Sequence, residues 1–183
     1  SEQVIVRGLN LGWIEIVGED AETMIERSAL TEELSYDYSN YYLRPAFFCD
    51  GGELPRINQL FHMNTSGSSS YQSGVVALNG GRVFVGRGFG VKNATRFGLF
   101  VFNGDFAKVI ESDFSNAGEN GVHASHSSTI NASGADASNA GRFGVYANQS
   151  STIEAWGVNA SGAGENGVYA NQSSTINAIN VNA

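Results

Sequence analysis

Cysteine, proline and charge are all scarce in this 183-residue chain. The lone Cys49 cannot close an intrachain disulfide and leaves no paired thiols for a zinc ribbon. Prolines number 2, and charged residues make up 15% of the chain, against about a quarter in an ordinary globular domain. The longest apolar run, Phe97 to Phe102, falls far short of the roughly 18–20 residues a membrane helix needs. A formal charge of -8 argues against nucleic acid and bare anionic membrane as partners. The start, Ser1-Glu2-Gln3-Val4, has no initiator Met and no signal-peptide pattern, and reads as processed or truncated. What fills the space is Gly, Ser, Asn and Ala, with 23 Gly, while hydrophobic residues stay at 42%, too many for a disordered chain. That combination calls for a search for repeats.

The C-terminal third divides without a gap into three units of 23 residues, 115–137, 138–160 and 161–183. A divergent unit at 92–114 precedes them in frame, and another, about 74–91, matches with one inserted residue. Leucine-rich repeats have similar periods, but residues 115–183 contain no Leu. Helical repeats are longer, and Gly, Asn, Ser and Thr favour turns and strands over helix. Short alternating segments such as Gly144-Val-Tyr-Ala147 and Thr152-Ile-Glu-Ala155 are separated by polar turns such as Asn148-Gln-Ser-Ser151. Two or three short strands per unit predict an all-β fold, a parallel β-helix (β-solenoid), right-handed because parallel crossovers nearly always are.

Equivalent residues of successive coils then stack at strand spacing, about 4.8 Å. Leu99, Val122, Val145 and Val168 form one apolar column, and Ile130, Ile153 and Ile176 another. Gly98, Gly121, Gly144 and Gly167 form a glycine column, expected where φ is positive or packing is tight. Asn93, Asn116 and Asn139 share a corner at which an amide ladder is expected. Arg96, Glu119, Arg142 and Glu165 form a structural charge ladder of alternating sign, in which neighbours attract and register is fixed.

Residues 1–73 do not show this frame clearly and are read as an N-terminal β-rich part. Val4–Val6, Trp13–Val17 and Gln59–Asn64 read as strands, Ala21–Leu34 as strand rather than helix, and about 31–57 as a Tyr-rich insertion. Within the insertion, Tyr36, Tyr38, Tyr41, Tyr42 and Arg44 are the candidate interface, for a neighbouring subunit or for a glycan, because aromatic rings with polar tips suit both.

Three features of the sequence carry a resemblance. They are the opening Val6-Arg-Gly-Leu-Asn-Leu-Gly-Trp-Ile-Glu-Ile16, the step Gly90-Val-Lys-Asn-Ala94, and the tandem Ala-Gly-x-x-Gly-Val-x-Ala-x-x-Ser-Ser-Thr-Ile units. In these the chain resembles phage tail-spike and tail-fibre proteins built on a right-handed parallel β-helix, a pectin-lyase-like solenoid. The resemblance implies a homotrimer in the virion tail that attaches to host surface polysaccharide or lipopolysaccharide, with no nucleic acid and no membrane insertion. Some members of that group also cleave or deacetylate the glycan. A chain ending at Ala183 on a complete repeat further suggests a longer protein.

The leading expectation is a structural and host-attachment shaft; the alternatives are a polysaccharide-degrading glycoside hydrolase or lyase, or a bacterial surface adhesin. An enzyme would need paired carboxylates. Glu119 and Glu165 are two coils apart, about 9.6 Å between backbones, near the upper limit for an inverting pair. Arg142 between them holds both ionised, which is wrong for a general acid. Asp105, Glu111 and Asp113 lie within one coil and read as turn residues, with a catalytic cluster as the alternative. His62, His123 and His126 lack ligand spacing, and His123 stands in a column of aromatics, Phe100, Tyr146 and Tyr169. No catalytic residue, metal or cofactor is assigned.

Overall fold

The computed structural model describes residues 3–25, 34–36, 41–63, 72–85 and 87–183. Among them there is no helix. The first layer holds β1 (Val4–Asn10) and β2 (Glu15–Ile25); β3 (Leu34–Tyr36) follows. The next layers hold β4 (Tyr41–Glu53) with β5 (Arg56–Met63), then β6 (Gln72–Phe84) with β7 (Gly90–Lys92). Shorter pairs complete the stack: β8 (Leu99–Phe102) and β9 (Phe106–Lys108), then β10 (Asn120–Ser125) and β11 (Thr129–Asn131). Last come β12 (Phe143–Ala147) and β13 (Thr152–Glu154), then β14 (Asn166–Ala170) and β15 (Thr175–Asn177).

The chain is a parallel β-solenoid, with about five turns from β6 to β15. Its first face stacks β6, β8, β10, β12 and β14; its second stacks the end of β6 with β9, β11, β13 and β15. The third face carries β2, β5 and β7 and continues as single bridges through Asp113, Asp136, Asn159 and Asn182. The repeat length is visible in the register. Val75 pairs with Leu99 and Val83 with Ala107, offsets of 24 residues, whereas Leu99 to Val122 to Val145 to Val168 advances by 23 each time.

The solenoid does not begin at the regular repeats. β1 pairs in parallel with β4, and β4 with β6, so part of the stretch read from sequence as an insertion is itself a layer of the stack. Among the described strands only β3 runs antiparallel, its Leu34–Tyr36 against Tyr41–Leu43. In these early layers the first two faces share one long strand that bends at positive-φ glycines, Gly8, Gly51, Gly52 and Gly80. In later layers the same corner is made by non-glycine pairs in the left-handed region: His126-Ser127, Gln149-Ser150 and Gln172-Ser173. A single left-handed residue turns another corner, as Asn93, Asn116, Asn139 and finally Gly162. Asn and Gly tolerate that conformation best, which explains their place in every unit.

Among the described residues the Asn corner carries no amide ladder: the Asn116 amide bonds the neighbouring Ser115 hydroxyl at 3.4 Å instead. The ladder lies on the third face. Asn182 Nδ2 donates to Asn159 Oδ1 at 3.1 Å, and Asn159 Nδ2 donates to Asp136 Oδ1 at 3.3 Å. The same oxygens accept from the backbone N–H two residues on, as in Ser138 to Asp136 at 2.9 Å, so one side chain per coil closes its own turn and ties to its neighbour. A second ladder runs inside: the N–H groups of Asp105, Ser128 and Ser151 donate to the Oγ of Ser128, Ser151 and Ser174 at 3.0–3.3 Å.

The interior is one apolar cluster running from Val6 to Ala160. Early layers fill it with edge-to-face rings, Phe47–Phe61 at 5.1 Å, Phe47–Phe89 at 5.7 Å and Phe89–Phe114 at 6.1 Å. Later layers fill it with Val, Ile and Ala. There the glycine column is packed tight rather than turned: a Cβ on Gly121 would sit 2.7 Å from Ala137 Cβ and 2.9 Å from the Gly144 carbonyl.

Candidate functional site

Outward-pointing residues of the first face form a second layer of side chains. Phe100, His123, Tyr146 and Tyr169 occupy one column, since β8, β10, β12 and β14 pair in register. Their rings follow one another at 4.9, 4.6 and 5.6 Å between centroids. Phe97 and Phe143 flank the column, at 5.0 Å from Phe100 and 4.9 Å from Tyr146. Beside it stand Arg96, Glu119, Arg142 and Glu165, with each backbone N–H bonded at 2.8–2.9 Å to the carbonyl one coil earlier.

The charges associate in couples. Arg96 Nε lies 3.2 Å from Glu119 Oε1, and Arg142 grips Glu165 with two bonds, 2.8 and 3.3 Å. The arginines also lie over the rings that follow them, Arg96 at 5.0 Å from the Phe97 centroid and Arg142 at 4.9 Å from that of Phe143. That bonding pushes the Arg142 pKa up and holds the Glu165 carboxyl below its usual range.

At the level of β8, β10 and β12 the surface dips into a groove of about 360 Å³, within the range of small-ligand sites. Its floor is Phe97, Phe100, Phe102, Leu43, Asn120, His123 and Ser125; its rim is Glu119, His126, Arg142, Tyr146, Asn148 and Gln149. His123 is the hub. Asn120 Nδ2 lies 3.3 Å from its Nδ1, and its Nε2 lies 3.2 Å from Asn148 Oδ1, an arrangement that suits the neutral ring protonated on Nε2. Burial pushes its pKa down to about 3, so it carries no charge at neutral pH. Asn120 Oδ1, in contrast, is buried with no hydrogen-bond partner among the described residues. On the rim, the Ser125 hydroxyl donates to Gln149 Oε1 at 3.0 Å and lies 2.8 Å from His126 Nδ1.

The groove does not stop at the corner. A shallower depression lined by Asn103, Gly104, Ser127, Ser150 and Gln172 shares His126 and Gln149 with it. Apart from His126, whose pKa burial lowers, that continuation carries only amides, hydroxyls and backbone.

The carboxylates considered from sequence are kept apart. Glu111 pairs with Arg87 at 3.2 Å and Asp113 with Lys92 at 3.4 Å. Asp105 is not a solvated turn residue: it is 1% exposed, in the interior serine column, with Oδ1 accepting from the Gly80 N–H at 2.6 Å. Burial raises its pKa to about 7, but no substrate reaches it there. Cys49 is likewise buried, with a pKa raised to about 11, which leaves an unreactive thiol. No group of His, Cys, Asp and Glu among the described residues is arranged to hold a metal ion.

Of the Tyr-rich candidates, Tyr38 and the side chains of Tyr36, Tyr41 and Tyr42 lie outside the described residues. The backbone places Tyr36 opposite Tyr41, and Arg44 is partly buried beside Gln72. The groove residues Asn120, Asn148 and Gln149 escaped the sequence reading. The one signal for Asn148 and Gln149, the repeated Asn-Gln-Ser-Ser at 148–151 and 171–174, looks like an ordinary turn. No family model, curated protein or solved structure matches this chain.

Proposed function

We propose that this chain is a structural and host-attachment module: the shaft of a phage tail spike or tail fibre, right-handed, assembled as a homotrimer in the virion tail, and contributing to binding of host surface polysaccharide or lipopolysaccharide. The observation that carries the reading is the unbroken coil-to-coil bonding together with a lateral groove. Among the described residues, hydrogen bonds join successive coils on all three faces, for example Glu119 to Arg96, Thr152 to Ser128 and Asn159 to Ala135. Such a stack is stiff along its axis, and a rod is what projecting a binding surface requires. The groove supplies the surface: rings below, with amides and two charges, Glu119 and Arg142, each compensated by its own partner, around the rim.

The enzymatic alternative gains nothing from these residues. Glu165 is held ionised by Arg142, and the carboxyl with a raised pKa is sealed inside.

The test is binding of the purified protein to immobilised capsular polysaccharides and lipopolysaccharides, followed by sizing of the glycan and sedimentation of the protein. Saturable binding, unshortened glycan and a trimeric mass are expected. Release of defined oligosaccharides would replace attachment with depolymerisation. A monomer that binds none of the polysaccharides would overturn the reading.

A further inference from the structure

We propose that the groove over β8, β10 and β12, with its amide-lined continuation around the Gln149 corner, is a binding site for an uncharged, linear oligosaccharide. The inference rests on the attachment reading and adds to it the location and the charge class of the ligand.

Three observations carry it. The first is charge cancellation. Among the described residues, Glu119 and Arg142 are the only formally charged side chains lining either depression, apart from the two histidines, and each is already coupled to a partner, Arg96 or Glu165. His123 is neutral, fixed between Asn120 and Asn148. Among the described residues an acidic sugar finds no free cation there, and the formal charge of -8 repels it at longer range.

The second is the chemistry of the lining. Rings below and carboxamides above match a sugar ring, whose C–H faces are apolar and whose hydroxyls both donate and accept. Asn148, Gln149 and Gln172 offer both donors and acceptors. Asn120 Oδ1 adds a buried acceptor with no partner among the described residues. Leaving such an atom unpaired costs stability, and a ligand hydroxyl reaching the floor would recover it.

The third is shape. The two depressions share His126 and Gln149, so the binding surface runs from the ring-floored pocket across the corner. A compact metabolite would use only the pocket; a chain of sugars uses both.

The variants follow from the backbone. Gln149 and Gln172 have φ of 53° and 48°, a region glycine enters freely. Gln149→Gly and Gln172→Gly thus remove the amides without straining the corner, and Tyr146→Val clears the rim while keeping a strand-forming residue. The probe is an array of tetrasaccharides, neutral (gluco-, manno-, galacto- and N-acetylglucosamine-based) and acidic (uronate and sialylated), read with the parent and the Gln149→Gly/Tyr146→Val variant. Retained melting temperature reports an intact fold.

Binding to at least one neutral tetrasaccharide, weakened tenfold or more in the double variant and two- to fivefold in Gln172→Gly, is expected. Undiminished binding in the double variant, or binding confined to acidic glycans, overturns the proposal while leaving attachment in place. Binding to no tetrasaccharide overturns it as well; whether attachment falls with it is read from the intact polysaccharides.

Discussion

The two halves of the stack reach one architecture by different routes. From β8 onward, short strands recur every 23 residues, the corner between the first two faces passes from Asn103-Gly104 to left-handed pairs of His, Gln and Ser, and the interior is Val, Ile and Ala. Before β8, strands of up to 13 residues bend at glycines, the offset between paired residues is 28 at Phe47–Val75 and 43 at Val4–Phe47, and phenylalanines fill the centre. What the halves share is parallel pairing in register with the apolar side inward. A solenoid therefore needs equivalent positions to meet, not equal chain lengths between them.

The comparison is broken most severely at the glycines. A valine at Gly121 would press on Ala137 and on the Gly144 carbonyl, both fixed by the coils around them. Gly121→Val should lose roughly 3 kcal/mol or more, as overpacked cores do when nothing gives way. Gly80, in the irregular half, has φ +85° and open space where a Cβ would go. Gly80→Ala should cost about 1–2 kcal/mol, the strain of a left-handed backbone alone. Equal losses in chemical denaturation would mean that the two halves pack alike.

The seam between the halves is where pH should act. Asp105 stands where the regular half places Ser128 and Ser151, and it bonds Gly80 of the preceding coil. Its folded pKa, about 7, lies above the ordinary 3.8, so its contribution to stability is full below about pH 4 and is lost as pH rises through 7. His123 on the outer face acts oppositely: its folded pKa of about 3 lies below 6.5, so stability is lost as pH falls from about 6.5 to 3. Relative to the parent, Asp105→Ser should gain melting temperature at pH 7.5 and not at pH 3.5. His123→Tyr, which restores the ring found at Tyr146 and Tyr169, should raise melting temperature relative to the parent more at pH 3.5 than at pH 7.5. Parallel pH profiles for all three proteins would contradict the assignment of these buried groups.

The smallest effect belongs to the charge ladder. Glu165 is exposed, and surface ion pairs contribute little. Glu165→Gln should leave the melting temperature nearly unchanged at any salt concentration. A loss of several degrees that disappears in high salt would show that the ladder holds the stack together.

The regular half was legible because its columns can be read directly from a fixed period; Val122 over Leu99 and Ile153 over Ile130 need only counting. The irregular half was not, since its paired residues are separated by unequal stretches and no period announces that Phe47 meets Val75. Side-chain roles were harder than positions. The Asn column at 93, 116 and 139 was placed at a corner, but its left-handed backbone, rather than an amide ladder, is what Asn supplies there. Asp105 read as a turn residue because its neighbours Asn103 and Gly104 do turn; that the next residue faces inward follows from the strand that begins just after it. The groove was harder to read because its floor joins Leu43 and the phenylalanines of the divergent coil to Asn120, His123 and Ser125 of the next, and its rim includes Asn148 and Gln149 of a turn-like tetrapeptide.

Amide hydrogen exchange under native conditions tests most directly whether the two halves form one continuous stack. The account predicts slow exchange, and loss of protection together on adding denaturant, for the coil-to-coil donors Gly98, Glu119 and Arg142 and for the strand amides between Phe47 and Asp50. Protection confined to the residues after 92, with rapid exchange across 43–63, would contradict it.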